Sequence, residues 1–118
     1  MVNIDSLGMA APQVLVNLSS SSLTRRVEDL AQRMKVPFNT VSILGASSDS
    51  IAYIGRKIPA ITISAMGNGW ETILHTDKDQ LTIVNQTSVY VGYRLALALV
   101  VELMELPCEV SRRDATKK

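Results

Sequence analysis

Two short segments of this 118-residue sequence carry side chains that bind metals or move protons. Val2-Asn3-Ile4-Asp5 ends in a carboxylate, and Leu74-His75-Thr76-Asp77-Lys78-Asp79 contains the only histidine of the chain. Each donor follows an apolar, strand-like run, and ligand-binding residues of α/β folds gather at strand ends. A catalytic zinc normally takes three protein ligands, drawn from His, Cys, Asp and Glu. The two segments therefore predict part of a metal centre, with Asp5 and His75 as its ligands.

Each of these residues also has an interpretation that involves no metal. Asp5 fits a strand-end carboxylate that caps a neighbouring turn, and His75 fits a loop or core histidine with ordinary hydrogen bonds. Asp79 either orients His75 or fixes its own loop by accepting backbone hydrogen bonds. Trp70 either walls a hydrophobic pocket near His75 or packs its loop against the core. The residues alone leave these alternatives open.

The composition is that of one small globular domain. Apolar residues make up 47% of the chain and charged residues 19%, which is ordinary for a packed core. The net charge is +1, and the basic residues are scattered rather than clustered, so we expect no nucleic-acid partner. A single cysteine, Cys108, cannot form a disulfide within the chain. We expect one α/β domain over residues 1–110 and a charged tail over residues 111–118.

One apolar stretch has the length to be considered for a membrane. It runs from Val89 to Leu106 but includes Gly92, Arg94 and Glu102, which favours a buried core helix over a membrane span. The first residues have neither the basic head nor the apolar run of a signal peptide. The sequence therefore predicts a soluble chain without a membrane partner and leaves its compartment open.

Strand-like and helix-like segments alternate along the chain. The patterns predict strands over residues 2–7, 13–18, 40–44 and 58–64, and helices over residues 23–34, 51–54 and 87–106. The fourth strand segment, Ile58 to Ser64, is almost continuously apolar, which is typical of a parallel strand buried on both faces. We predict an α/β fold with a mostly parallel central sheet and helices on both faces.

Several segments together resemble the zinc-dependent exopeptidases related to bacterial leucyl aminopeptidase, aminopeptidase Y and glutaminyl cyclase. Asn3-Ile4-Asp5, followed by Gly8, is similar to the family's Asn-[Ile/Leu]-Asp strand end. Ser48-Asp49-Ser50 and Lys57-Ile58-Pro59-Ala60 stand where the family has Ser-Asp-His and Gly-Ile-Pro-Ala. The segment from His75 to Asp79 fits the family's His-Thr-x-x-Asp. The resemblance covers residues 2–106 and corresponds to the C-terminal half of the family's catalytic domain, a phosphorylase/hydrolase-like fold.

The resemblance implies a peptide substrate and a centre of two zinc ions in the complete domain. Asp5 would bind one zinc and His75 the other, while Asp49 would shape the substrate pocket; Ser50 replaces the histidine that usually follows. The half of the domain with the family's His-x-Asp and Glu-Glu segments, which supply the other ligands and the general base, has no counterpart in this chain. The resemblance therefore implies no catalytic base here, an inactive isolated chain, and self-association or pairing with a missing N-terminal half.

Three functional classes remain open at this point. The chain is the C-terminal half of a zinc aminopeptidase-like hydrolase, a non-catalytic relative that serves as a binding or assembly module, or an unrelated small α/β domain in which the motifs coincide. The first is favoured because both predicted ligand segments are intact.

Overall fold

The computed structural model describes residues 1–109, so the predicted tail over residues 111–118 lies outside the described residues. The four strands are β1 (Val2–Ile4), β2 (Gln13–Leu15), β3 (Asn39–Val41) and β4 (Ile61–Ser64). The three α-helices are α1 (Ser21–Met34), α2 (Ser50–Ile54) and α3 (Gln86–Glu105), and short 3-10 helices lie at Val16–Leu18, Trp70–Thr72 and Leu81–Ile83. The expected α/β class is confirmed.

The four strands form one mixed sheet in the order β1-β4-β2-β3. β1 pairs with β4 and β2 pairs with β3 in parallel, but β2 and β4 are antiparallel at the centre. The prediction of a mostly parallel sheet is not confirmed, because strand burial on both faces does not fix strand direction. The carboxyl ends of β1 and β4 lie at the same edge of the sheet, and β1 is an outer strand.

One face of the sheet packs against α1 and α3. The apolar residues of α1 recur at helical spacing, and they meet Ile61 and Ile63 of β4 together with Leu95 and Leu99 of α3. These four side chains are fully buried. The amphipathic pattern of α1 therefore positions a single apolar core between this helix pair and the sheet.

All four strands are shorter than the sequence predicts, and local contacts explain two of the differences. β2 ends at Leu15 because the side chain of Asn17 exchanges two hydrogen bonds with the backbone of Ile43, donating to its O at 2.9 Å and accepting from its N at 3.2 Å. β4 begins only at Ile61, since the preceding Pro59 has no N–H to donate to a strand partner. An anchored asparagine after β2 and a proline before β4 thus prevent the longer strands that β propensity favours.

Helix α3 is buried along one side only. Gly92, Leu95, Ala96 and Leu99 face the protein, but the opposite side is apolar and exposed. Gln86–Glu105 is long and apolar enough to cross a membrane by length and composition, and 22% of its most apolar window is buried. The prediction of a buried core helix thus holds for one side of α3.

Candidate functional site

The carboxylate of Asp5 lies directly beyond β1. The backbone N–H of Asp5 still donates to Ile63 O at 3.0 Å, so the strand ladder holds the residue in place. Ser6 then turns the chain away with a φ of +56°, and its hydroxyl donates to Asp5 Oδ1 at 3.0 Å. Asp5 itself is exposed. The end of β1 therefore presents a carboxylate that is anchored through its backbone and reaches into solvent.

The imidazole of His75 is positioned by a compact turn rather than by a strand, contrary to the expectation of a strand-like run before it. The turn follows the 3-10 helix at Trp70–Thr72 and is closed by Thr76, whose hydroxyl donates to Ile73 O at 2.6 Å and accepts from Lys78 N at 3.2 Å. His75 has a φ of +62°, in the left-handed region. The turn holds the exposed His75 in a backbone conformation that residues other than glycine rarely adopt.

Asp5 and His75 line the same cleft, which we call the Asp5–His75 cleft. Its volume is about 410 Å³, and its wall also includes Trp70, Ser47 and Ser64. Asp5 comes from the end of β1 and His75 from the turn before α3, so the fold brings together two segments that are far apart in sequence. Trp70 also lines the cleft.

A second apolar cluster lies beneath this cleft. Leu15, Leu18 and Met66 are buried in it, and Trp70 and Leu74 pack against them. Leu15, Met66, Trp70 and Leu74 also form part of the cleft wall. The cleft therefore joins an apolar floor to a polar mouth, a combination that suits an organic ligand with a polar group.

The other two predicted pocket residues lie elsewhere. Asp49 is exposed at the start of α2 and lines a different depression with Met1 and Tyr53. Asp79 lines a smaller neighbouring cavity behind Trp70, and its N–H donates to Thr76 O at 3.1 Å. Within residues 1–109 no hydrogen bond joins Asp79 to His75. That hydrogen bond comes from the backbone of Asp79, so both interpretations of its carboxylate stay predictions.

The sequence did not single out the buried hydroxyl groups beside α2. Ser50 Oγ donates to Leu18 O at 2.7 Å and lies 2.6 Å from Ser48 Oγ, and Thr62 Oγ1 donates to Ser50 Oγ at 2.8 Å. Ser50 and Thr62 are fully buried. Ser50 thus joins the start of α2 to β4 instead of lining the cleft.

The described residues alone do not fit a complete zinc site. Carboxylate and imidazole are suitable zinc donors, but no group of three His, Cys, Asp or Glu side chains that could hold a metal occurs within residues 1–109. A zinc site with three protein ligands therefore needs at least one donor from outside this part of the chain.

The fold is peptidase-like. The crystal structure of LapA from Legionella pneumophila is similar, with a TM-score of 0.69 and 20% sequence identity over 78% of this chain and 26% of that chain. The LapA aminopeptidase from Legionella pneumophila matches with a TM-score of 0.75 and 20% identity over 86% of this chain and 30% of that chain. This chain thus spans less than a third of either structure. No protein-family model matches the sequence, and no curated protein matches it.

Proposed function

We propose that this chain is one portion of an aminopeptidase-like hydrolase domain, corresponding to its C-terminal half. In this proposal Asp5 and His75 are ligands of a zinc centre that another polypeptide segment completes. The observation that carries the proposal is the placement of both residues on one cleft of a peptidase-like fold. Two independent donor segments converging on a cleft is the arrangement that a hydrolytic metal site requires.

The roles of the chain's own residues follow from their chemistry. In the complete domain each of two zinc ions would take one ligand from this chain, Asp5 for one and His75 for the other. When bound, such a pair of ions supplies Lewis acidity and an activated water for hydrolysis of a peptide bond. The apolar wall that includes Trp70 and Leu74 would exclude bulk water and hold the substrate. No residue of this chain is proposed as the catalytic base.

Zinc titration of the full chain tests this proposal. We expect weak zinc binding to the wild-type chain by calorimetry, and His75→Ala should reduce the affinity by more than about tenfold because it removes a direct ligand. Asp77→Asn is the matched control, since Asp77 is two residues away and is not part of the cleft wall. The isolated chain should release no amino acid from leucine p-nitroanilide.

Two results would contradict the proposal. Zinc affinity that is equal in the wild type and in His75→Ala would remove His75 from the site. Chelator-sensitive release of p-nitroaniline by the isolated chain would show that the chain does not need another segment.

We further propose that an apolar polypeptide surface covers the exposed side of α3. Seven apolar residues recur there at intervals of one to four positions and form what we call the α3 stripe: Val89, Tyr90, Tyr93, Leu97, Val100, Val101 and Met104. Patches of this kind mark interaction surfaces.

Two observations favour a polypeptide as the occupant of the α3 stripe. β1 is an outer strand beside α3, and the similar structures are more than three times longer than the part they share with this chain. The occupant would be the remainder of the domain or, in its absence, a second copy of this chain.

Sedimentation velocity over a range of concentrations tests this surface. The wild-type chain should self-associate, and Leu97→Glu in the α3 stripe should shift it toward monomer. Gln32→Glu on the exposed side of α1 adds the same charge as a control. A monomer at every concentration contradicts the proposal, and binding of that monomer to lipid vesicles would identify a membrane as the occupant.

The α3 stripe also favours a second candidate function, a non-catalytic assembly module with a peptidase-like fold. This candidate shares the association behaviour but predicts no zinc binding at His75. The calorimetric comparison of the wild type with His75→Ala therefore separates the two functions.

A further inference from the structure

The hydroxyl of Ser64 is the feature of the cleft that neither the fold nor the proposed zinc centre uses. Ser64 is the last residue of β4 and has a relative exposure of 0%. Its Oγ is buried and has no hydrogen-bond partner among residues 1–109. The residue lines the Asp5–His75 cleft. A buried hydroxyl without a partner is uncommon in folded proteins, because its desolvation is then uncompensated.

Thr62 shows what a structural hydroxyl looks like on the same strand. It lies two residues before Ser64 and therefore on the same face of the sheet. Thr62 Oγ1 donates to Ser50 Oγ at 2.8 Å, accepts from Asn3 Nδ2 at 3.3 Å and lies 2.9 Å from Ser48 Oγ. The fold thus satisfies Thr62 with neighbouring side chains and leaves Ser64 facing the cleft.

The surroundings of Ser64 define which ligand group would meet it. Leu15 and Met66, which share the cleft wall with Ser64, are 4% and 8% exposed and carry no charge, whereas the ionisable cleft residues Asp5 and His75 are exposed. A serine hydroxyl both donates and accepts a hydrogen bond, so it pairs with a neutral hydroxyl or amide. A charged group would be poorly solvated against this apolar floor.

We propose that Ser64 is a specificity-determining residue: its hydroxyl binds the neutral polar group of a ligand side chain whose apolar part contacts the cleft floor. The ligand class is an aminoacyl compound with a hydroxyl or amide in its side chain. The choice of an aminoacyl ligand rests on the proposed peptidase-like function. The hydrogen bond follows from the buried Ser64 hydroxyl and its surroundings.

Fluorescence titration of the full chain without zinc tests the assignment. Trp70 is the only tryptophan of the sequence and lines the cleft, so its emission reports ligand entry. Threoninamide and valinamide have nearly the same shape, and threoninamide carries a hydroxyl where valinamide has a methyl group. We expect the wild-type chain to bind threoninamide about three- to tenfold more tightly, the factor that one hydrogen bond contributes.

Variants at position 64 identify the group responsible. Ser64→Ala should bind the two amides equally, and Ser64→Thr, which retains a hydroxyl, should restore the preference for threoninamide. Equal binding by the wild-type chain, a preference that survives in Ser64→Ala, or no change in Trp70 emission with either amide would each overturn the assignment. The wild-type comparison decides the matter even if a variant fails to fold.

The experiment is independent of the zinc proposal. It contains no metal and requires no catalysis, so loss of the His75 zinc site would leave its outcome unchanged. Conversely, zinc binding at His75 together with equal binding of the two amides would reject the role of Ser64 and retain the proposed function.

Discussion

The two faces of the sheet are built in different ways. On the face that carries α1 and α3, side chains such as Ile63, Leu95 and Leu99 form a continuous apolar core between regular elements. On the opposite face, 3-10 helices and turns surround a cleft, and Ser6 and His75 have positive φ values. Regular packing stabilises the first face, whereas the second holds polar residues in uncommon backbone conformations. The comparison shows that the continuous apolar core lies on one face of this small sheet and the cleft with its polar groups on the other.

The largest expected effect on stability lies in the helical core. Leu99 is fully buried between α3 and the sheet, so Leu99→Ala should lower the free energy of unfolding by about 3 kcal/mol through lost burial and a residual cavity. Leu81→Ala is the control, because Leu81 is 86% exposed and should change stability by less than about 0.5 kcal/mol. Urea unfolding measures both. Similar free energies of unfolding for the two variants would show that packing on the helical face, the face that carries α1 and α3, does not dominate the stability.

A smaller effect is expected on the cleft face, where Ser50 ties α2 to β4. Ser50→Ala removes the donor to Leu18 O and the acceptor of the Thr62 hydroxyl, which should cost about 2 kcal/mol because buried polar groups lose hydrogen-bond partners. Ser42→Ala is the matched control, because Ser42 is an exposed serine directly after β3. Equal unfolding midpoints for the two variants would show that the hydroxyl cluster does not stabilise this face.

The smallest effect is expected at the ion pairs that join α1 to α3. Glu102 accepts hydrogen bonds from Arg26 at 2.6 Å and from Arg33 at 2.7 Å. The bonds from Arg26 and then Arg33 hold the pKa of Glu102 below its ordinary value of 4.5. Because the folded-state pKa is depressed, this stabilisation is present above that ordinary value and is lost as the pH falls through the folded-state pKa.

Glu102→Gln should therefore destabilise the protein by about 1 kcal/mol at neutral pH, since the pairs are partly exposed. The difference from the wild type should shrink as the pH falls below 4.5 and through the depressed folded-state pKa of Glu102. Urea unfolding at several pH values measures this difference. A difference that does not change with pH would mean that the ion pairs contribute nothing and that only packing is lost.

Much of the helical face follows from patterns in the sequence. The helical spacing of Leu23, Val27 and Leu30 predicted α1, and the apolar run ending at Ser64 predicted a strand buried on both faces, which the structure confirms. Strand direction was not predictable, because the antiparallel pairing of β2 with β4 depends on how the connections cross the sheet. Local periodicity carries no information about those connections.

The cleft face follows from the sequence less completely. Motif resemblance drew attention to Asp5 and His75, but neither spacing nor propensity indicated the turn at Thr76 that places the imidazole. Ser64 was missed because its segment was interpreted as continuously apolar. The alternation Ile61-Thr62-Ile63-Ser64 was the available signal, since it places two isoleucines on one face of β4 and two hydroxyls on the other.

The backbone conformation of His75 has a consequence for how this position tolerates change. A φ of +62° suits glycine, which has no Cβ to collide with its own carbonyl, better than it suits an imidazole-bearing residue. Substitution by glycine would relax the turn and make the fold more robust. Two requirements therefore oppose each other at position 75: glycine suits the backbone better, but only an aromatic or imidazole residue places a ring at the mouth of the cleft.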